Sequence, residues 1–231
     1  MYHFPTKKQQ QKPQSTLFSF LPYEISYKIL EITNKYFYTN FDLTIYGGDN
    51  SENCGGIAGY ASYVNINRCA NYADVTGNYT SDDNGSLWHG GISGNGSYMK
   101  FTDCVNYGAI SAWTVGGLTA STLGGTATTT ATNCLNVGSL KYKSEPDGRG
   151  YALMYSDACN NCYFLQGAGN KYSNTSDITV VSAEQLASGE VCYLLNGSTS
   201  EGTLSWGQNL DNDQTKESYP YLKSYPDIKN S

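Results

Sequence analysis

Counted outward from Cys69, Cys104 and Cys134, the hydrophobic and polar positions of this chain fall into one pattern three times over. Three residues before each cysteine stand Ile66, Phe101 and Ala131, and five before stand Val64, Met99 and Thr129. That is a period of two, so a strand leads into each cysteine. Two residues after the cysteines come Asn71, Asn106 and Asn136, and six after come Val75, Ile110 and Leu140. Asn followed two positions on by Ala73, Gly108 or Gly138 is turn chemistry between two short strands. Upstream, a Gly-Gly pair precedes Ile57, Ile92 and Leu118. The copies therefore run from Gly55 to Val75, Gly90 to Ile110 and Gly116 to Leu140, with a worn fourth around Gly150 to Leu165.

A supersecondary unit repeated at roughly thirty residues cannot bury its own apolar face, so its copies must stack. The expected fold is all-β: a short right-handed parallel β-helix, or β-solenoid, of about four coils, with like residues in ladders along the axis. The ladder positions are Cys69, Cys104 and Cys134; Asn71, Asn106 and Asn136, exchanging amide hydrogen bonds; and Gly56, Gly91 and Gly117. Four coils rise only about 20 Å, and exposed sheet edges invite association, so each end needs a cover.

The flanks supply candidate covers. Residues 1–16 are polar and unpatterned and read as disordered. Within 17–46, Leu21, Ile25, Ile29, Ile32 and Tyr36 recur at helical spacing, with Pro22 suited to a helix start, which predicts an amphipathic N-terminal helix. The repeats fill 47–166. In 167–231, Ser182-Ala183-Glu184-Gln185 fits a capping box and Asn196-Gly197 a stop, predicting a C-terminal helical cap before a last extended segment at Tyr219 to Leu222.

A net charge of -6 and a pI near 4.8 argue against a phosphate-backbone binder, and nucleic acid is not an expected partner. Twenty-one tyrosines and recurring apolar positions point to order rather than a disordered glycine-rich chain. Seven cysteines are an odd number, and three at one repeat position read as a column of small buried thiols. Cys159-x-x-Cys162 has no second cysteine pair or histidine pair to complete a zinc site, since only His3 and His89 are present; no metal and no cofactor is expected. No apolar run reaches the roughly 20 residues of a membrane span. Leu17 to Ile32 carries Pro22, Glu24, Lys28 and Glu31, unlike a signal peptide. Five N-x-S/T sequons, beginning at Asn78, Asn84, Asn95, Asn174 and Asn196, leave secretion open.

Catalysis on a β-helix needs acid, base and often calcium ligands converging on one face. Asp82 and Asp83 fall in the long insertion, Asp103 stands alone among the repeats, and Asp211-Asn212-Asp213 with Glu217 lacks a central glycine. The chain reads as no enzyme. Aromatic residues are the better candidates for binding, with Tyr60, Tyr79, Trp88, Tyr98 and Trp113 as the expected ligand contacts.

The repeats resemble GLUG motifs, whose signature is Gly-Gly-Leu-Val-Gly followed by Asn-Cys-x-Asn-x-Gly-x-Val. Gly55 to Gly59 and Gly90 to Gly94 follow the first half, and Asn133-Cys134-Leu135-Asn136-Val137-Gly138 the second. Leu195-Asn196-Gly197, Trp206-x-Gln208 and Tyr219-Pro220 are similar to the segment that follows such repeats in bacterial surface proteins. The resemblance spans about residues 47 to 222 and implies a non-catalytic, adhesin-like protein at the cell surface or outside the cell, binding glycan or protein ligands. A shorter stretch, Leu21-Pro22-x-Glu24-Ile25 with Ile29-Leu30, is similar to the opening of an F-box. It implies, as the alternative, a cytoplasmic substrate adaptor docking on a ubiquitin-ligase adaptor. A β-helix polysaccharide lyase or hydrolase is the second alternative.

Overall fold

The computed structural model describes residues 30–33, 44–46, 53–77, 88–121, 129–142, 149–155, 158–168, 178–201, 204–211 and 216–223. In chain order the first strands are β1 (Leu30–Thr33), β2 (Thr44–Tyr46), β3 (Asn53–Gly55), β4 (Ala58–Asn67), β5 (Ala70–Asn71) and β6 (Asp74–Thr76). Next come β7 (Trp88–Gly90), β8 (Ser93–Thr102), β9 (Val105–Asn106), β10 (Ile110–Ala112) and β11 (Thr114–Gly116). Then follow β12 (Thr130–Thr132), β13 (Leu135–Asn136), β14 (Leu140–Tyr142), β15 (Arg149–Tyr151), β16 (Ala158–Asn160), β17 (Cys162–Leu165) and β18 (Ile178–Val181). Two helices, α1 (Ala183–Ala187) and α2 (Glu190–Leu195), lead to β19 (Trp206–Gly207) and β20 (Tyr221–Leu222).

The chain is β-rich and its main sheets are parallel. Their orders are β1-β4-β8-β12-β16, β14-β10-β6-β2, β15-β11-β7-β3 and β18-β17-β13-β9-β5. Each passage of the chain, β3-β4-β5-β6 and then β7-β8-β9-β10, gives one strand to each sheet, so equivalent residues become neighbours between layers. Ile66 pairs with Phe101 and Phe101 with Ala131, while Val75 pairs with Ile110 and Ile110 with Leu140. The interior is filled by these columns, with Val64, Ile66, Met99, Phe101, Leu118 and Leu153 all buried.

The asparagines explain the glycines. Asn71 Nδ2 donates to Asn106 Oδ1 over 2.8 Å, and Asn106 Nδ2 to Asn136 Oδ1 over 2.9 Å, while each also donates to the carbonyl two residues on, at Ala73 and Gly108. All three asparagines are at most 1% exposed. A Cβ on Gly56 would lie 2.4 Å from Asn71 Oδ1, on Gly91 2.5 Å from Asn106 Cγ, and on Gly117 2.6 Å from Asn136 Cγ. The next layer's carbonyl blocks the same space, at 2.2 Å for Gly91. Glycine therefore follows from the amide column and the layer spacing. In the last layer Phe164 pairs with Asn136, and Tyr151 pairs with Gly116, which puts Ala152 at the glycine position. Where the asparagine is lost, so is the glycine.

Two expectations about the flanks change. The helix predicted within 17–46 is not what the described residues there form: β1 and β2 are strands, pairing parallel with β4 and β6. Leu30-Glu31-Ile32-Thr33 also alternates with period two, and a ready-made parallel edge decides between the two periods. Residues 1–16, expected to be disordered, and Leu21, Pro22, Glu24 and Ile25, expected as a docking segment, lie outside the described residues.

At the other flank α1 carries the expected capping box, Gln185 N–H to Ser182 Oγ at 3.2 Å and Ser182 N–H to Gln185 Oε1 at 3.0 Å. Instead of sealing an end, however, the C-terminal segment lies along a side. Leu186, Val191, Leu195, Trp206 and Leu222 pack with Ala70, Val105, Leu135 and Tyr163, the apolar stripe of the β5 sheet. Those residues follow the cysteines directly and face away from the interior, so they form a second apolar surface that requires its own cover. The open edge of β17 is extended by β18.

Gly91→Ala is expected to destabilise the protein by about 3 kcal/mol, since neither obstacle can move. Gly167→Ala, at φ +86 with nothing within 4 Å, should cost only about 1–2 kcal/mol of backbone strain. Ile110→Asp, fully buried, should be far worse than Leu140→Asp, which is half-buried. Thermal melting of the four variants checks both orders.

Candidate functional site

The most distinctive exposed surface lies on β4 and β8, which run in register from Ala58 beside Ser93 to Asn67 beside Thr102. Val64, Ile66, Met99 and Phe101 point inward, which directs Asn65, Asn67, Lys100 and Thr102 outward. The alternation is broken once in each strand. Tyr63 and Tyr98 both take the left-handed conformation, each at φ 54. A bulky residue there is a genuine outlier, and the conformation costs about 1–3 kcal/mol each time.

Alternation from inward Val64 and Met99 points both tyrosines outward, and the break on β4 shifts the phase before Tyr63, so that Tyr60 is exposed and Ala61 packs against the core. Their rings stack at a centroid distance of 4.5 Å and an interplanar angle of 8°, and they are 45% and 43% exposed. Tyr60 beside them is 54% exposed. Underneath, Ser62 and Ser97 are joined by their hydroxyls at 3.2 Å, and Ser97 N–H donates to Ser62 Oγ at 3.2 Å. Each ring covers one face of the other. Exposed ring surface and phenol hydroxyls suit van der Waals contact and hydrogen bonding.

Of the expected ligand contacts, Tyr98 stacks on Tyr63, and Tyr60 is exposed three residues before Tyr63 on β4. Trp88 is half-buried on β7 in a different sheet. Trp113, at the turn between β10 and β11, is only 4% exposed, so it does not present a face to a ligand. Tyr79, with Asp82 and Asp83, lies outside the described residues. Tyr72 and Tyr107 stack at 4.7 Å, and Tyr107 hydroxyl donates to the carbonyl of Pro220, under the C-terminal segment.

The sequence reading missed a second set of working residues. The position before each column cysteine is left-handed in four layers, at Arg68, Asp103, Asn133 and Asn161, with φ between 51 and 54. Three of these hold the C-terminal segment. Arg68 Nη2 donates to Lys223 carbonyl at 2.6 Å, Asp103 accepts from Ser205 Oγ at 2.7 Å and from Trp206 Nε1 at 3.3 Å, and Asn161 Nδ2 donates to Leu194 carbonyl at 2.7 Å. The usable signal was the variation Arg, Asp, Asn, Asn at one repeat position: a shared backbone corner with different side-chain tasks. Asp103 is thus a structural acceptor.

The column cysteines satisfy that corner. Cys69, Cys104, Cys134 and Cys162 each donate S–H to the carbonyl two residues before, at 3.2 to 3.4 Å. Cys159 and Cys162 occupy β16 and β17, and no group of three or more His, Cys, Asp or Glu side chains able to hold a metal ion occurs among the described residues. Glu217, considered for calcium, accepts Asn209 N–H at 2.6 Å. His89 lies on β7, 1% exposed, with its Nε2 over Gly77. Between α2 and the β19–β20 pair lies a groove of about 300 Å³, rimmed by Tyr193, Leu210 and Tyr221.

No helix among the described residues is long and apolar enough to cross a membrane. Comparison with protein-family models, with curated proteins and with solved structures finds no match to this chain.

Burial pushes the Cys54 thiol up to about 11. It also raises Cys134 well above its ordinary value, aided by the neighbouring thiols of Cys104 and Cys162. These groups are neutral in the fold and ionise in the unfolded chain near pH 8.5. Their contribution to stability is complete below about pH 8.5 and is lost as pH rises above it. Melting temperature should hold from pH 7 to about 8.5 and fall steadily towards pH 11, less steeply in Cys54→Ala. A flat profile to pH 11 would contradict the assignment.

Proposed function

We propose that this chain is a short right-handed β-solenoid acting as a non-catalytic interaction module, with Tyr60, Tyr63 and Tyr98 as its contact surface. The observation that carries the reading is the left-handed backbone at both stacked tyrosines. Both exposed side chains stand on a backbone conformation that costs about 1–3 kcal/mol each. Tyrosine combines large contact area with few rotatable bonds, so three exposed tyrosines on two paired strands suit recognition. Exposed ring surface and phenol hydroxyls suit the mixed apolar and polar surface of a protein partner. Resemblance to GLUG-type repeats supports a repeat-built adhesin-like module. An intracellular adaptor is the second reading, favoured by one observation: all seven cysteines lie among the described residues and no disulfide joins any of them.

Tyr63→Gly and Tyr98→Gly separate a contact surface from a structural stack. Glycine accepts the left-handed conformation at no cost, while the lost stacking is worth about 0.5–1.5 kcal/mol. On this reading the melting temperature changes by no more than about 5 °C. In the native host, a photo-crosslinking amino acid at position 60 should give a discrete adduct that disappears in the Tyr63→Gly background. The same group at exposed Thr179 should give none. Equal labelling at both positions, or a collapse in melting temperature, would overturn the proposal.

A further inference from the structure

The thiols form a continuous column through the interior. The side chains of Cys69 and Cys104, Cys104 and Cys134, Cys134 and Cys162, and Cys162 and Cys159 are successive interacting neighbours. In addition, Cys104 N–H donates to Cys134 Sγ at 3.4 Å. The five residues are at most 3% exposed. The register that pairs Ala70 with Val105, Val105 with Leu135 and Leu135 with Tyr163 makes the preceding cysteines direct neighbours between layers.

This placement has opposite consequences in the folded and unfolded chain. In the folded state four of the five thiols donate S–H to a carbonyl and all five are at most 3% exposed, so a dissolved oxidant does not reach a sulfur. In the unfolded state the same five cysteines are accessible, and each doubling of loop length costs only about 0.6 kcal/mol, so distant pairs compete with neighbouring ones. Strands in a parallel sheet lie about 4.8 Å apart, so Cys69 and Cys134, or Cys104 and Cys162, are separated by about 9.6 Å in the fold. A disulfide tolerates Cα separations up to only about 6.8 Å. A bond between layers two apart therefore cannot exist in the stacked structure.

We propose that the thiol column makes folding of this chain conditional on a reducing environment and makes the folded chain resistant to oxidation, a one-way redox gate built into the repeat. The oxidant is a small-molecule disulfide. Two protein thiols reduce one such molecule to two thiols, their two protons pass to the leaving sulfurs, and one protein S–S bond forms. The gate depends on the stacking register and not on which partner the tyrosine surface takes. It also bears on where the chain can mature, since a compartment poised to form disulfides would trap it.

The test uses the full chain purified under reducing conditions and divided in two. One half is exposed to oxidised glutathione while native; the other is unfolded in urea, exposed to the same reagent, and then freed of urea. The native half should keep its far-ultraviolet strand signal and its melting temperature, with only the half-buried Cys192 reacting to a measurable extent. The unfolded half should fail to refold and should carry disulfides joining non-neighbouring layers by peptide mapping. Dithiothreitol should then restore it. Refolding with the disulfides in place would overturn the proposal. So would disulfides forming between column cysteines in the native protein without loss of strand signal, or a trapped chain that dithiothreitol cannot recover.

Discussion

Everything in this fold is arranged around a primary amide that has been taken out of water. Asn71, Asn106 and Asn136 are buried, and burying an amide without partners costs several kcal/mol. They are satisfied in a column: Asn71 and Asn106 Nδ2 each serve their own turn and the next layer's Oδ1, and Asn136 Nδ2 serves its own turn at the Gly138 carbonyl, 3.2 Å away. That requirement sets the layer spacing, forbids a side chain at Gly56, Gly91 and Gly117, and holds the turns at Ala73, Gly108 and Gly138 in line. Gly108 and Gly138 are constrained again, because a Cβ at either would lie 1.9 Å from the carbonyl of the preceding layer. Ala73 opens the column, where that restriction first arises.

The second organising element is the corner before each cysteine. A left-handed residue there ends the long strand, and the cysteine thiol and the backbone of the adjoining layer share the exposed carbonyl: Thr102 oxygen accepts both Arg68 N–H at 2.9 Å and Cys104 Sγ at 3.3 Å. Because the corner residue's side chain points outward, the repeat can vary it freely. Arg68, Asp103 and Asn161 use that freedom to fasten the C-terminal segment along the side of the sheets. One backbone requirement thus yields both regular layers and an irregular clasp.

Much of this was legible in the amino-acid order, and the parts that were not share a cause. The strand register and the amide ladder could be read because Cys, Asn and Gly recur at fixed offsets, and each of those residue types has a single backbone or hydrogen-bonding task. The first strand was misread because Ile25, Ile29 and Ile32 satisfy helical spacing, while Leu30 and Ile32 satisfy strand spacing, and only a neighbouring edge can choose. The C-terminal helices were found from Ser182 and Gln185, but their position was not, since Ala70, Val105, Leu135 and Tyr163 show their outward direction only once the cysteines are known to face in. At the tyrosine surface, residue type alone did not distinguish Trp113, which is buried, from Tyr60, which is not. The left-handed turn at Tyr63 and Tyr98 has no local sequence signal at all.

The central claim is that the asparagine side chains are a buried, hydrogen-bonded column whose opening requires the layers to separate. Hydrogen exchange of the side-chain amides of Asn71, Asn106 and Asn136, followed by nuclear magnetic resonance under native conditions, measures this directly. The structure predicts exchange as slow as that of the most protected backbone amides in β8 and β12, with the free energy of global unfolding. Exchange at the rate of a solvent-exposed asparagine such as Asn160, with the strands still protected, would contradict it.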